Sequence, residues 1–185
     1  LQASFEKTKK KEIMFNDFDI DGFKKNKPPS NNSFDTMQEI KRLQKIPINK
    51  NFINKYDDSE KIFSDIVGKD PIIKDLIMKS GPIIDKLKAH FNRPRPAEQA
   101  KKLGVALKDV KLKSMDSPAY PSGHSTQGKL LELVLSDKYP DKKKQLQQAA
   151  KNTSHSRQVA RTHYDSDVRA GEQLGKQLYE LFKLS

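Results

Sequence analysis

The 185-residue sequence has no cysteine, which rules out disulfides and thiolate metal sites and removes one clue to the redox compartment. It has no apolar run approaching the roughly 18 to 20 residues needed to cross a bilayer, so no membrane span is expected. Hydrophobic residues make up only 34% against 32% charged. The core must therefore be economical, although the balance stays on the globular side of disorder. No aromatic residues are interleaved with the lysine clusters, so the stacking platforms of a nucleic-acid track are missing. Nothing alternates with period two over a useful length, which argues against a sheet.

What the chain does have is positive charge, +12 at pH 7. That favours anionic partners: nucleic acid, an acidic membrane surface or phosphorylated small molecules. The lysines are spread along the chain, and the densest groups, Lys7 with residues 9–11 and then residues 142–144, are short. This is the pattern of a solvated surface, and no specific nucleic acid is expected. The length fits one domain.

Residues 1–35 read as an extended N-terminal arm ending in the turn-rich "KNKPPSNNS". Within it "DFDIDG", residues 17–22, mimics the start of a calcium loop, but Pro28 stands where the bidentate glutamate belongs and Lys24 where an apolar residue belongs. Residues 36–185 read as a single all-α helical bundle. Met37, Ile40 and Leu43 recur on one helix face. Three apolar blocks follow, separated by Pro71 and Pro82, each expected just after a helix end. Residues 92–122 are expected to be mostly loop. Residues 127–135 are strongly apolar, 142–160 fit an amphipathic helix, and 163–184 carry Val168, Leu174, Leu178 and Leu181 on a helical repeat.

Three stretches carry unusual chemistry: "KAHFNRPRP" (88–96), "YPSGHS" (120–125) and "SRQVARTHYDSDV" (156–168). Together they supply the donors for an oxyanion of charge two or three. Arg95 and Arg157 offer planar forks that fit phosphate bidentately, and Lys88 adds a point charge. Ser122 and the backbone N–H of Gly123, in a turn just before a helix, can complete the cradle. One imidazole can attack phosphorus while another, protonated, donates to the leaving alcohol. His163 has Asp167 at i, i+4, on one helix face, where a carboxylate would fix the ring tautomer. His124 has no such local partner and is the better candidate for general acid.

The ordered pattern is Lys88, six residues, Arg95-Pro96; Pro121-Ser122-Gly123-His124; Ser156-Arg157, five residues, His163, three residues, Asp167. It resembles the three-part signature of the type 2 phosphatidic acid phosphatase superfamily, which includes class A nonspecific acid phosphatases, lipid phosphatases and vanadium-dependent haloperoxidases. "PPSNNSFDT" and "HYDSDVRAG" are similar to segments of the class A enzymes. The resemblance implies an all-α core with the site at helix ends. It implies that His163 becomes a phosphohistidine, that Asp167 orients it and that His124 protonates the leaving group. Lys88, Arg95, Ser122, Gly123 and Arg157 would hold the phosphoryl group of a phosphorylated small-molecule substrate. It further implies no metal or other cofactor, with vanadate as inhibitor.

Ala97 departs from the aromatic residue common after the first motif in class A enzymes, and the chain is shorter than a usual mature member. Arg93, Arg161, His90 and His155 lie beside the motifs but outside the signature. They are expected at the surface or behind the site, Arg93 being the exception to watch. In a haloperoxidase the same residues would bind vanadate as cofactor with His163 as axial ligand. A lipid phosphate as substrate, and an anion-binding protein without turnover, are the other readings. A zinc site of His124, His163 and Asp167 is disfavoured by the cations around it. The sequence opens on Leu1 rather than methionine, which fits a leader removed ahead of it, and the resemblance favours a periplasmic or secreted location. A homo-oligomer is compatible with all of these.

Overall fold

Short polar side chains start most of the helices, each accepting a hydrogen bond from a backbone N–H left unpaired in the first turn. Asp19 caps α1 (Ile20–Phe23), Ser33 caps α2 (Phe34–Gln44), Asn49 caps α3 (Lys50–Lys55) and Asp58 caps α4 (Ser59–Val67). Asp70 caps α5 (Pro71–Phe91), with Pro71 in its first turn. Then come α6 (Pro96–Lys102), α7 (Gly123–Lys138) capped by Ser122, α8 (Lys143–Val159) and α9 (Asp165–Leu184). This computed structural model describes residues 15–185, so Lys7, residues 9–11 and the beginning of the expected arm lie outside the described residues. Among the described residues there is no strand: the fold is all-α, as expected.

α7 is the central element, with α9, α8, α5 and α4 packed around it. Its Leu130, Leu131, Val134 and Leu135 meet Leu174 and Leu178 of α9, Leu146 and Ala150 of α8, Leu76, Ile84 and Leu87 of α5, and Phe63 of α4 in one buried cluster. The described part of the expected arm is docked on this body. Phe15 and Phe23 are buried in the same cluster, and the Tyr120 hydroxyl donates to the Asn26 carbonyl at 2.5 Å. The carboxylate of Asp19, in the calcium-like stretch, is used locally, accepting from the Gly22 N–H at 2.9 Å.

The expected break at Pro82 is not found. α5 runs through it for 21 residues. A proline here deprives the carbonyl of Met78, four residues earlier, of its partner. Met78 is exposed, so water can satisfy that carbonyl. Leu76 before the proline, and Ile83, Ile84 and Leu87 after it, share one core, which holds both halves on one axis.

α9 reaches α7 through two glycines. A Cβ on Gly171 would lie 2.5 Å from the Ser122 carbonyl oxygen and 2.9 Å from the Ser125 Cβ. One on Gly175 would lie 2.6 Å from the Thr126 carbonyl oxygen. The two carbonyl oxygens are backbone atoms, and the Ser125 Cβ is fixed to the backbone, so none can swing away. Gly171→Ala is therefore expected to cost about 1–3 kcal/mol by forcing the helices apart. A urea midpoint that falls with an unchanged m-value would report it.

Candidate active site

The beginnings of α7 and α9 meet where the chain turns from α8 into α9. The turn is made at Arg161, whose φ of 58° is left-handed. Its guanidinium donates to the carbonyls of Gln44, Ile46 and Lys108, pinning the corner to neighbouring segments. The Ser122 N–H donates to the Asp167 carbonyl at 3.0 Å, which ties the two helix starts together. A cleft of about 180 Å3 opens there. Its lining includes Lys88, Arg95, Gly123, His124 and His163, with Asp85, Ser114, Ser117 and Gln127.

His163 is buried, and its two ring nitrogens are both engaged. Nδ1 lies 3.1 Å from Asp167 Oδ2, and Nε2 lies 2.9 Å from Nη1 of Arg95. A guanidinium can only donate, so Nε2 must be the acceptor and the proton sits on Nδ1, directed at the carboxylate. Burial, followed by the charges of Arg95 and Lys88, holds the imidazolium pKa well below the ordinary value, so this ring is neutral. A neutral ring with Nε2 basic is the form that can attack.

Asp167 is fully buried and held as an acceptor on both oxygens. Oδ1 takes the Nη1 of Arg93 at 2.7 Å, and Oδ2 takes the Tyr164 N–H at 2.9 Å besides His163. Burial lifts its pKa to about 6, with Arg93 pulling the other way. Arg93 also donates to Ser166 Oγ and Glu39, and lies over the Tyr164 ring at 3.7 Å. Glu39 closes the circle by accepting from the Ser166 N–H at 2.6 Å and the Ser166 hydroxyl at 2.8 Å. Arg93 thus acts from behind, as the carrier of the orienting carboxylate.

The cations facing the cleft are held by carbonyls rather than neutralised. Arg95 donates to the carbonyls of Ser117, Thr162 and Ser114, and Lys88 to that of Pro118 at 2.6 Å. Burial, followed by the Arg95 charge, brings Lys88 down to about 7. Arg157 is fully buried: Nε donates to Ser156 Oγ, Nη1 to Asp57 at 3.0 Å, and Nη2 has no hydrogen-bond partner. Gly123 faces Lys88, since a Cβ there would meet the Lys88 Cε at 3.9 Å. Ser122 is fully buried, and its Oγ accepts from the Ser125 N–H to cap α7. His124 Nε2 lies 2.7 Å from the Asp57 carbonyl, and burial together with the Arg157 charge pushes its pKa down to about 4.

The structure therefore brings Lys88, Arg95, Gly123, His124 and His163 into one cleft, with Asp167, Arg157 and Ser122 behind or beside it. His90 is exposed against Phe91, and His155 is exposed against Phe52. Sequence reasoning missed Glu39 and Asp57. Glu39 sits on the buried side of α2 beside Ile40, and a lone acid on an apolar face was the only signal. Asp57, in "YDDSE", reads as a helix cap and gave none. Among the described residues no group of three or more His, Cys, Asp and Glu is placed to hold a metal ion.

A non-specific acid phosphatase of Salmonella typhimurium is 40% identical to this chain over 57 residues. That similarity supports the type 2 phosphatidic acid phosphatase superfamily, whose three-part signature the motifs resemble. The aligned stretch is 31% of this chain and spans only 23% of that relative's length. No family model matches. A solved structure, a transmembrane phosphatidylglycerolphosphate phosphatase of this type from Bacillus subtilis, overlays with a TM-score of 0.44 at 17% identity, covering 89% of this chain and 73% of that one. Among the described residues no helix is long and apolar enough to cross a membrane.

Lys88 and Arg95 line the cleft with Arg157 beside it, so a fixed dianion should bind there with a particular pH dependence. An anion beside Lys88 raises that amine's pKa from about 7. Binding then takes up a proton above that pH, and affinity is full below about 7 and lost as pH rises through it. Sulfate affinity, measured by calorimetry, is expected to fall by roughly tenfold per pH unit at most above pH 7. Lys88→Gln should bind more weakly and flatten the profile.

Proposed function

We propose that this chain hydrolyses phosphate monoesters through a phosphohistidine on His163, with a soluble phosphorylated small molecule as substrate. The observation that carries the reading is the tautomer of His163: Nδ1–H on a doubly anchored Asp167, Nε2 basic and turned to a buried guanidinium. An incoming phosphoryl group takes over the Arg95 donor. Nε2 then forms the N–P bond while the ester P–O bond breaks. Asp167 stabilises the charge that grows on the ring. Lys88, Arg95 and Arg157 share the equatorial oxygens, and the unpartnered Nη2 of Arg157 supplies a further donor. The Gly123 N–H adds to them at the start of α7, where the helix dipole favours an anion. His124 delivers a proton to the departing alkoxide and then takes one from the water that cleaves the N–P bond. The three cations supply the charge stabilisation a metal would otherwise give, so no metal enters this scheme.

Hydrolysis of para-nitrophenyl phosphate between pH 4 and 8, blocked by orthovanadate, is the expected result. No hydrolysis at any pH, with halide oxidation appearing when vanadate and peroxide are supplied, would replace this reading with the peroxidase one. Phosphatidate in vesicles, run beside the aryl phosphate, separates a lipid substrate from a soluble one.

A further inference from the structure

Asp57, on the turn between α3 and α4, is the one acidic side chain among the described residues that reaches both His124 and Arg157. Its carbonyl oxygen lies 2.7 Å from His124 Nε2, and its Oδ1 lies 3.7 Å from the same nitrogen and 3.0 Å from Arg157 Nη1. A carbonyl only accepts, so Nε2 carries a proton and Nδ1 is the nitrogen left for the cleft that His124 lines. We infer that Asp57 is the positioning residue of the general acid: its main chain selects the ring nitrogen that meets the leaving group, and its carboxylate supports the imidazolium. The inference rests on the phosphatase reading above.

The electrostatics require such a partner. Facing His124 are Arg157 from α8, Lys88 and Asp85 from α5, and Arg95 and His163 across the cleft. Three of these carry positive charge, and each disfavours a protonated imidazole. Asp57 is the counterweight, through both its carbonyl and its charge. A bound phosphoryl dianion adds a second one. The proton then moves from Nδ1 to the ester oxygen as the P–O bond breaks, while Nε2–H stays on the Asp57 carbonyl and keeps the neutral ring in place. The hydrolytic water later returns a proton to Nδ1, and the balance closes. Asp57 is 45% exposed, so its carboxylate can be changed without emptying a core position.

Asp57→Asn keeps the carbonyl and removes the charge. With an alkyl phosphate, whose leaving group needs a proton, kcat is expected to fall by roughly 10- to 100-fold, within the range such assistance supplies. With para-nitrophenyl phosphate, whose leaving group needs little help, the loss should be only a few-fold. The basic limb of the kcat profile should move to lower pH. Equal losses on both substrates with an unmoved limb would show a merely structural role and overturn the inference. His124 titrated by NMR in sulfate-saturated protein gives a reading independent of turnover. Its pKa should drop in Asp57→Asn, and an unchanged value defeats the inference even if the wild type is active. An inactive wild type with a shifted His124 would instead defeat the phosphatase reading and leave the Asp57–His124 pairing standing.

Discussion

His163→Ala is expected to abolish phosphate-ester hydrolysis, by roughly 10^4- to 10^6-fold in kcat, as when other enzymes lose a catalytic nucleophile. No other group can take over Nε2. The other histidine lining the cleft, His124, turns Nδ1 to it as the proton donor for the leaving group and has no carboxylate hydrogen-bonded to its far nitrogen, as His163 has in Asp167. The fold should survive. Asp167 keeps Arg93 and the Tyr164 N–H, and Arg95 keeps three carbonyls and loses one acceptor. Sulfate binding by the variant should stay within a few-fold of wild type, because every cation remains. That combination of intact binding and absent turnover assigns His163 to chemistry rather than to recognition. Retained hydrolysis would sink the phosphohistidine scheme, while lost sulfate binding would mean that the cradle had collapsed.

The helices and the residues converging on the cleft were legible in sequence for a definable reason. Period-three and period-four apolar spacing places α2, α8 and α9. His163 and Asp167 do meet, but not on one helix face as expected: His163 lies ahead of the N-cap Tyr164, and Asp167 reaches back to it from the first turn of α9. Where reading failed, a long-range contact had overridden a local rule. Pro82 is a local stop signal, but the shared core on either side keeps α5 continuous. Glu39 reaches Arg93 and Ser166 from 54 and 127 residues away, and Asp57 reaches Arg157 from 100. No periodicity encodes partners at such separations. Ser122 was legible as part of a helix start, yet the structure uses its Oγ as a cap under the cleft.

Arg93→Met should be the most destabilising single change at the site, and its cost should depend on pH. The substitution leaves two buried carboxylates, Glu39 and Asp167, without their shared cation. Breaking a buried pair in this way costs about 3–5 kcal/mol. Asp167 is already raised to about 6 by burial, and Arg93 is what limits the rise. A carboxyl whose folded pKa exceeds its unfolded one binds more protons when folded, so its penalty is absent at low pH and is felt as pH climbs through the folded value. Removing Arg93 raises that value further. The deficit of Arg93→Met, read from urea denaturation, is therefore expected to grow between pH 5 and pH 8, and the acidic limb of its kcat profile to move to higher pH. Arg93→Lys, which restores charge without the fork that joins Glu39, Ser166 and Asp167, should recover part of the stability and less of the activity. A deficit that does not change with pH would mean that Arg93 matters for packing over Tyr164 rather than for the charge on Asp167.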